Sequence, residues 1–192
     1  MTFDYKKIQK KLSKALDQDR YEHTLGVAKT AQMLACINNF DKEKAYLAGL
    51  LHDCAKNIPN KEKIKLCKEA NIKISEVEKE NPSLLHAKVG SIIAKSTYNI
   101  DDIDVLNAIS SHTTGRPNMS ILEKIVFVAD YIEPGRPDRE NLNTIRKLAM
   151  NDLDSAIVEI LSDTLNYLAN SAKAIDPMTK MTYDFYNIQG DK

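Results

Sequence analysis

Cysteine is scarce in this sequence of 192 residues: there are three, Cys36, Cys54 and Cys67, with no short C-x-x-C spacing. An odd, scattered set argues against a disulfide framework and fits reduced thiols, with Cys54 read as a small buried hydrophobe. Glycine is thin as well, at six residues, and no segment shows the period-two alternation of a strand. No apolar run approaches membrane-spanning length, and the opening "MTFDYKKIQKKL" has no apolar leader core. A formal net charge of +0 removes the broad basic footprint that nucleic-acid binding requires. These absences lead to the expectation of a cytoplasmic protein that engages neither membrane nor nucleic acid, with its oligomeric state open.

What is present is ordinary for a folded chain: 43% hydrophobic and 28% charged residues, enough to bury one core in a single domain spanning residues 1–192. Helical periodicity recurs throughout. Lys6, Lys7, Lys10, Lys11 and Lys14 alternate with Ile8, Leu12, Ala15 and Leu16 and read as the wet face of an amphipathic helix. "DRYEHTLGVAKTAQMLACINN" opens with Asp19 as N-cap and Glu22 three residues on, and Asp41 begins "DKEKAYLAGLLHDCAKN". "NKEKIKLCKEAN" is a shorter helix, and Pro82 stands in the first turn of "NPSLLHAKVGSIIAKSTY". "DDIDVLNAISSHTTGRP" stops at Gly115 and Pro117, "SILEKIVFVADYIEPG" carries a Ser120–Glu123 capping box, and a stretch from about Asn151 to Ala174 closes the helical part. The expected fold is all-α.

The four histidines, His23, His52, His86 and His112, each fall on a different helix or at its end, on the side facing the core. Asp53 and Asp130 share that placement, and Asp130 ends the strongly apolar "IVFVAD". One such histidine is usually a hydrogen-bonded core residue. A cluster of buried imidazoles and carboxylates is a different matter, because it is unstable without a cation to neutralise it. Imidazole with carboxylate suits Fe, Mn, Zn or a related divalent ion rather than a calcium cage. Six donors exceed what one catalytic ion can use, and suit two ions sharing a bridging carboxylate.

The order H…HD…H…H…D resembles the HD-domain superfamily of metal-dependent phosphohydrolases. The segments "RYEHTLGV", "LHDCAK", "HAKVG", "HTTGRPNMSILEKIVFVADYIEPGR" and "DPMTKMTY" resemble, more narrowly, the bacterial YqeK-type symmetrical bis(5′-nucleosyl)-tetraphosphatases. That resemblance runs from about Arg20 to Tyr183. It implies a helical bundle with a metal site between helices, and hydrolysis of diadenosine tetraphosphate to two ADP. It further implies that His23, His52, Asp53 and Asp130 hold one ion, and that His86 and His112 hold the second with Asp53 bridging. Histidine-rich dinuclear sites make Fe the expected metal, with Mn or Co as substitutes.

Lys56, one turn past His52 and Asp53, places a compact positive charge beside the metals for a phosphate or leaving group. With Asp53 it forms the expected catalytic pair. Arg20, on the His23 face, and Arg136, past the helix carrying Asp130, are the next phosphate contacts, since arginine binds phosphate oxygens bidentately. Thr113 adds a hydroxyl or backbone donor beside His112, Tyr183 offers an aromatic platform for adenine, and His23, Asp53 and Asp130 complete the substrate-facing set. Three rivals stand beside this reading. Another HD-type nucleotidase would act on a mononucleotide. Alarmone hydrolases commonly show an acidic pair shortly after His-Asp, where this chain has Ala55-Lys56, and the cyclic-dinucleotide type carries a Gly-Tyr-Pro signature absent here. A non-catalytic HD-like binding domain would lack ligands, and none is lacking.

Overall fold

The structure, a computed structural model, describes residues 3–137, 140–171 and 174–190. Among these, helices are the only regular elements. In chain order they are α1 (Tyr5–Ala15), α2 (Gln18–Ile37), α3 (Lys42–Leu51), α4 (Asn60–Glu69), α5 (Glu76–Glu80), a 3₁₀ turn (Pro82–Leu85), α6 (His86–Tyr98), α7 (Ile103–Ser111), α8 (Ile121–Ile132), α9 (Leu142–Ala149), α10 (Leu153–Asn170) and α11 (Pro177–Gly190). No described helix is long and apolar enough to cross a membrane.

Short polar side chains start most of these helices by accepting their orphan N–H groups. Asp4, Asp41, Asp102 and Asp152 cap α1, α3, α7 and α10, and the Ser120–Glu123 box closes on both sides of the α8 N-terminus. Three expectations need correction. The cap of α2 is Asp17, whose carboxylate accepts from Arg20 N, so the helix begins at Gln18 and Asp19 already lies in its first turn. The helical part does not close near residue 174, because α11 follows with Pro177 in its first turn, where the missing N–H costs nothing. The expected last stretch is α10 alone, Leu153–Asn170; positions 172 and 173 lie outside the described residues.

α8 is the centre of the bundle. It packs against α2, α3, α7, α9 and α10, and a helix surrounded in this way must be apolar nearly all round. Leu122, Ile125, Val126, Phe127, Val128, Ala129 and Ile132 are all buried, each stabilising by up to about 1.5–3 kcal/mol for the larger side chains. α2 and α3 approach closely through Ala28, Ala31, Ala35, Ala45 and Ala48, all fully buried. Gly49 completes that seam, since a Cβ there would meet Ala28 Cα at 3.0 Å. The close seam brings the early part of α2 beside the end of α3. The five N-terminal lysines are exposed while Ile8 and Leu12 are buried, as the amphipathic reading required. A smaller cluster of Ala55, Cys67, Leu85 and Val89 supports the loop after α3.

Candidate metal centre

The histidines reach one place by two local devices. His52 and His112 are the first residues beyond α3 and α7, and His86 opens α6 after the 3₁₀ turn. Each turns Nδ1 back onto the carbonyl three residues earlier: Gly49 at 2.6 Å, Ile109 at 2.7 Å and Ser83 at 2.8 Å. A carbonyl only accepts, so Nδ1 carries the hydrogen, and in the neutral ring Nε2 presents a lone pair inward. His23, inside α2, directs Nδ1 to Glu133 Oε1 at 3.0 Å instead. The four rings run in a row, with centroids 5.4 Å apart for His23–His52 and 5.0 Å for both His52–His112 and His86–His112.

Asp53 sits in the middle of that row, its side chain 2% exposed. Its Oδ1 lies 3.2 Å from His86 Nε2 and 3.5 Å from His112 Nε2. Its Oδ2 lies 3.5 Å from His52 Nε2 and accepts from Arg20 Nη1 at 2.9 Å. Asp130 Oδ1 faces His23 Nε2 at 3.0 Å and His52 Nε2 at 3.8 Å, and is held by Arg136 Nη2 at 2.5 Å. Burial would push both carboxyls up. Hydrogen bonding and positive charge around them outweigh it, with Arg136 contributing at Asp130, so both stay below the usual carboxylate range. Burial pushes His86 the other way, down to about 4, which leaves it neutral at physiological pH.

The donor atoms of His23, His52 and Asp130 all lie within 4.8 Å of one another, and so do those of His52, Asp53 and His112. His23 Nε2, His52 Nε2 and Asp53 Oδ1 are buried without a hydrogen-bond partner. Orphaned donors of this kind are rare in folded proteins, and here they converge on shared points as divalent-metal ligands do. The residues present therefore fit a metal site, with imidazole and carboxylate donors of the kind first-row transition metals take.

All six residues expected as ligands meet in this cluster. The expected cations ring it: Lys56, Arg20 and Arg136 have side chains 33%, 28% and 30% exposed, so each reaches from the ligands to solvent. Lys56 Nζ stands 3.1 Å from His86 Nε2 and 3.6 Å from Asp53 Oδ1. Thr113 Oγ1 is 3.2 Å from Nε2 of both His86 and His112. Tyr183 is placed otherwise. It packs half-buried against the core and lines neither of the two cavities beside the cluster.

Those cavities flank the row of rings. A groove of about 910 Å³ is lined by His23, Gly26, Met33, Ile132, Glu133 and Arg146 among others, and includes Asp19 and Gly135, the chain neighbours of Arg20 and Arg136. A second cavity, of about 360 Å³, is lined by Ala87, Ser111, Thr113, Gly115, Met178 and Met181 among others. Three further residues shape this region, of which sequence reasoning named Glu123 only as a helix cap. Glu123, 1% exposed, accepts from Arg116 Nε and Nη2, both at 2.6 Å, and from Ser111 Oγ at 3.1 Å, holding the loop after His112. Tyr186 is buried in α11, and its hydroxyl accepts from Met119 N at 2.8 Å in the same loop. Glu133 is the third. The capping-box spacing already pointed to Glu123; nothing in the local pattern marked the other two.

Known proteins agree with this geometry. Residues 20–135 match the HD domain family. The chain is 41% identical over 169 residues to "Bis(5′-nucleosyl)-tetraphosphatase, symmetrical" of Halalkalibacterium halodurans, covering 88% of this chain and 89% of the relative. It is 37% identical to the protein of the same description from Bacillus subtilis, covering 88% and 90%. A crystal structure from Clostridium acetobutylicum, described as a predicted HD superfamily hydrolase involved in NAD metabolism, matches with a TM-score of 0.94 at 41% identity, covering 98% of this chain and all of that one. The family match spans the stretch that holds the four-ring cluster, and the relatives cover most of the chain: it belongs to the HD-domain family, among the symmetrical bis(5′-nucleosyl)-tetraphosphatases.

Proposed function

We propose that this protein hydrolyses diadenosine tetraphosphate symmetrically to two ADP, using a pair of divalent metals with iron first and Mn or Co as substitutes. The observation that carries the reading is the division of Asp53: Oδ1 faces His86 and His112, and Oδ2 faces His52. A carboxylate with separate imidazole partners on its two oxygens suits a bridge. His23, His52 and Asp130 would then complete one ion's set with Asp53, and His86 and His112 the other's. When bound, such ions supply a water acidified to a pKa of about 7 and positive charge against phosphate oxygens.

The protein's own groups do the rest. Lys56, Arg20 and Arg136 meet the polyphosphate from the solvent side, their positive charges opposing the negative charge that develops on the leaving phosphate. Lys56, aimed between His86 and Asp53, is the one placed to hold a non-bridging oxygen at the reacting phosphorus. Thr113 contributes its hydroxyl beside His86 and His112. The substrate has a nucleoside at each end, and a cavity lies beside each imidazole set. One nucleoside would enter the groove beside His23, the other the cavity beside Thr113. Tyr183, packed against the core, is assigned to packing rather than adenine stacking. Free Cys54 and Cys67 are buried, and reduced thiols fit the cytoplasm.

Chromatography of the products from diadenosine tetraphosphate tests the assignment. ADP alone is expected, and ATP with AMP as primary products, or no turnover with any of the three metals, would reject it.

A further inference from the structure

Three of the four histidines fix their own ring, and the fourth cannot. His52, His86 and His112 stand at helix ends and donate Nδ1–H to a carbonyl three residues back. His23 lies inside α2, where the neighbouring carbonyls are engaged in the helix ladder. Its Nδ1 needs an acceptor from elsewhere, and Glu133 Oε1 supplies one at 3.0 Å.

The surroundings hold Glu133 for this contact. It is 3% exposed and terminates α8, its backbone N–H bonded to Ala129 O and its carbonyl accepting from Arg146 Nη2 at 3.2 Å. Its Oε2 accepts from Gly135 N at 2.6 Å, which leaves Oε1 for His23. The facing position on α2 is Gly26, and a Cβ there would come within 2.4 Å of Glu133 Oε2. A glycine inside a helix costs about 1 kcal/mol relative to alanine, and here its missing side chain is the space that the carboxylate occupies.

We infer that Glu133 is a positioning residue: it orients His23 and fixes its tautomer so that Nε2 presents a lone pair to the metal shared with Asp130. A carboxylate acceptor also makes the imidazole a stronger donor than a backbone carbonyl would. The inference rests on the reading of His23 as a metal ligand. It adds a residue outside the six ligands and three cations, and it gives Gly26 a reason.

The test compares metal per chain, by elemental analysis, and the rate of metal loss to a chelator across purified variants checked by circular dichroism. Glu133→Ala should weaken metal retention by about 10–100-fold. Glu133→Gln should recover part of the loss, because its one amide oxygen can still accept from Nδ1, at the expense of the acceptor for Gly135 N. Gly26→Ala should reproduce the defect without removing the carboxylate, by displacing it, and serves if Glu133→Ala does not fold. His23→Ala combined with Glu133→Ala should be no worse than His23→Ala alone, since residues acting through one contact are not additive. Parental retention in Glu133→Ala, with His23→Ala defective, would overturn the inference, as would strictly additive losses in the double variant. Parental retention in His23→Ala would instead remove His23 as a ligand, and the inference with it.

Discussion

Nε2 of His86 and Nε2 of His112 face each other at 3.1 Å, although the Nδ1 hydrogen of each is already committed to a backbone carbonyl. Two lone pairs hold that separation only with something positive or hydrogen-bearing between them. Lys56 Nζ, 3.1 Å from His86, and the Thr113 hydroxyl, 3.2 Å from both rings, fill that role here. The same point is where a cation would satisfy both imidazoles and Asp53 Oδ1 together.

Lys56→Ala removes a positive charge but none of the six ligands. Turnover should fall by about one to two decades, as expected for one lost charge-assisted contact of about 1.5–3 kcal/mol. Metal content should be unchanged. Steady-state kinetics beside elemental analysis decides, and parental kinetics at both low and saturating substrate would make Lys56 a bystander.

His86→Ala and Asp53→Ala separate one ion from two. The first should fold, keep about one metal per chain and lose nearly all hydrolysis, because the clamp across the phosphate needs both ions. The second should disturb both, because each of its oxygens faces a different imidazole set. Full metal content with a near-parental rate in His86→Ala would refute the dinuclear site.

Glu123→Ala tests stability away from the chemistry. It deletes the acceptor for Arg116, Ser111 Oγ and Ser120 N at the α8 N-terminus. The lost cap and charged hydrogen bonds should cost roughly 2–4 kcal/mol, a figure already reduced because the Arg116 side chain is 42% exposed. At about 2–4 °C per kcal/mol, calorimetry should record a clear fall in Tm. An unchanged Tm would show that the loop's other contacts, the Met119–Tyr186 hydrogen bond among them, hold it without Glu123.

Chelation should destabilise the folded protein, because the cluster then keeps its orphaned donors. For a metal present at about 100 times its Kd, removal costs about 2.7 kcal/mol. Thermal melts with and without chelator measure it, and superimposable curves would mean that the cluster binds no ion.

The six residues that meet in the cluster were readable because each is a residue type with strong chemistry at a core-facing helical position, and sequence order alone paired His52 with Asp53. Helix boundaries were less readable. Asp17 and Asp19 are equally good caps by type, and only the fold shows that Arg20 N meets Asp17. Neither α9 nor α11 was read from the sequence, although Pro177 stands in the first turn of α11, where proline is as much a beginning as an end. Glu133 was invisible for a tertiary reason. Its value comes from facing Gly26 and His23, 107 and 110 positions earlier in the chain, where no local period connects them.

The donors of one small cluster come from α2, the end of α3, the start of α6, the end of α7 and α8, spread from residue 23 to residue 130. A folding intermediate lacking any one of these helices cannot offer a full coordination set, and before α8 docks the imidazoles have no Asp130 opposite them. An ion held by all of them would therefore be taken up only once the bundle has closed. It would tie five segments of the chain together, so that opening any of them would mean releasing it. Resistance to proteolysis should rise with metal occupancy across the whole bundle rather than around the site alone.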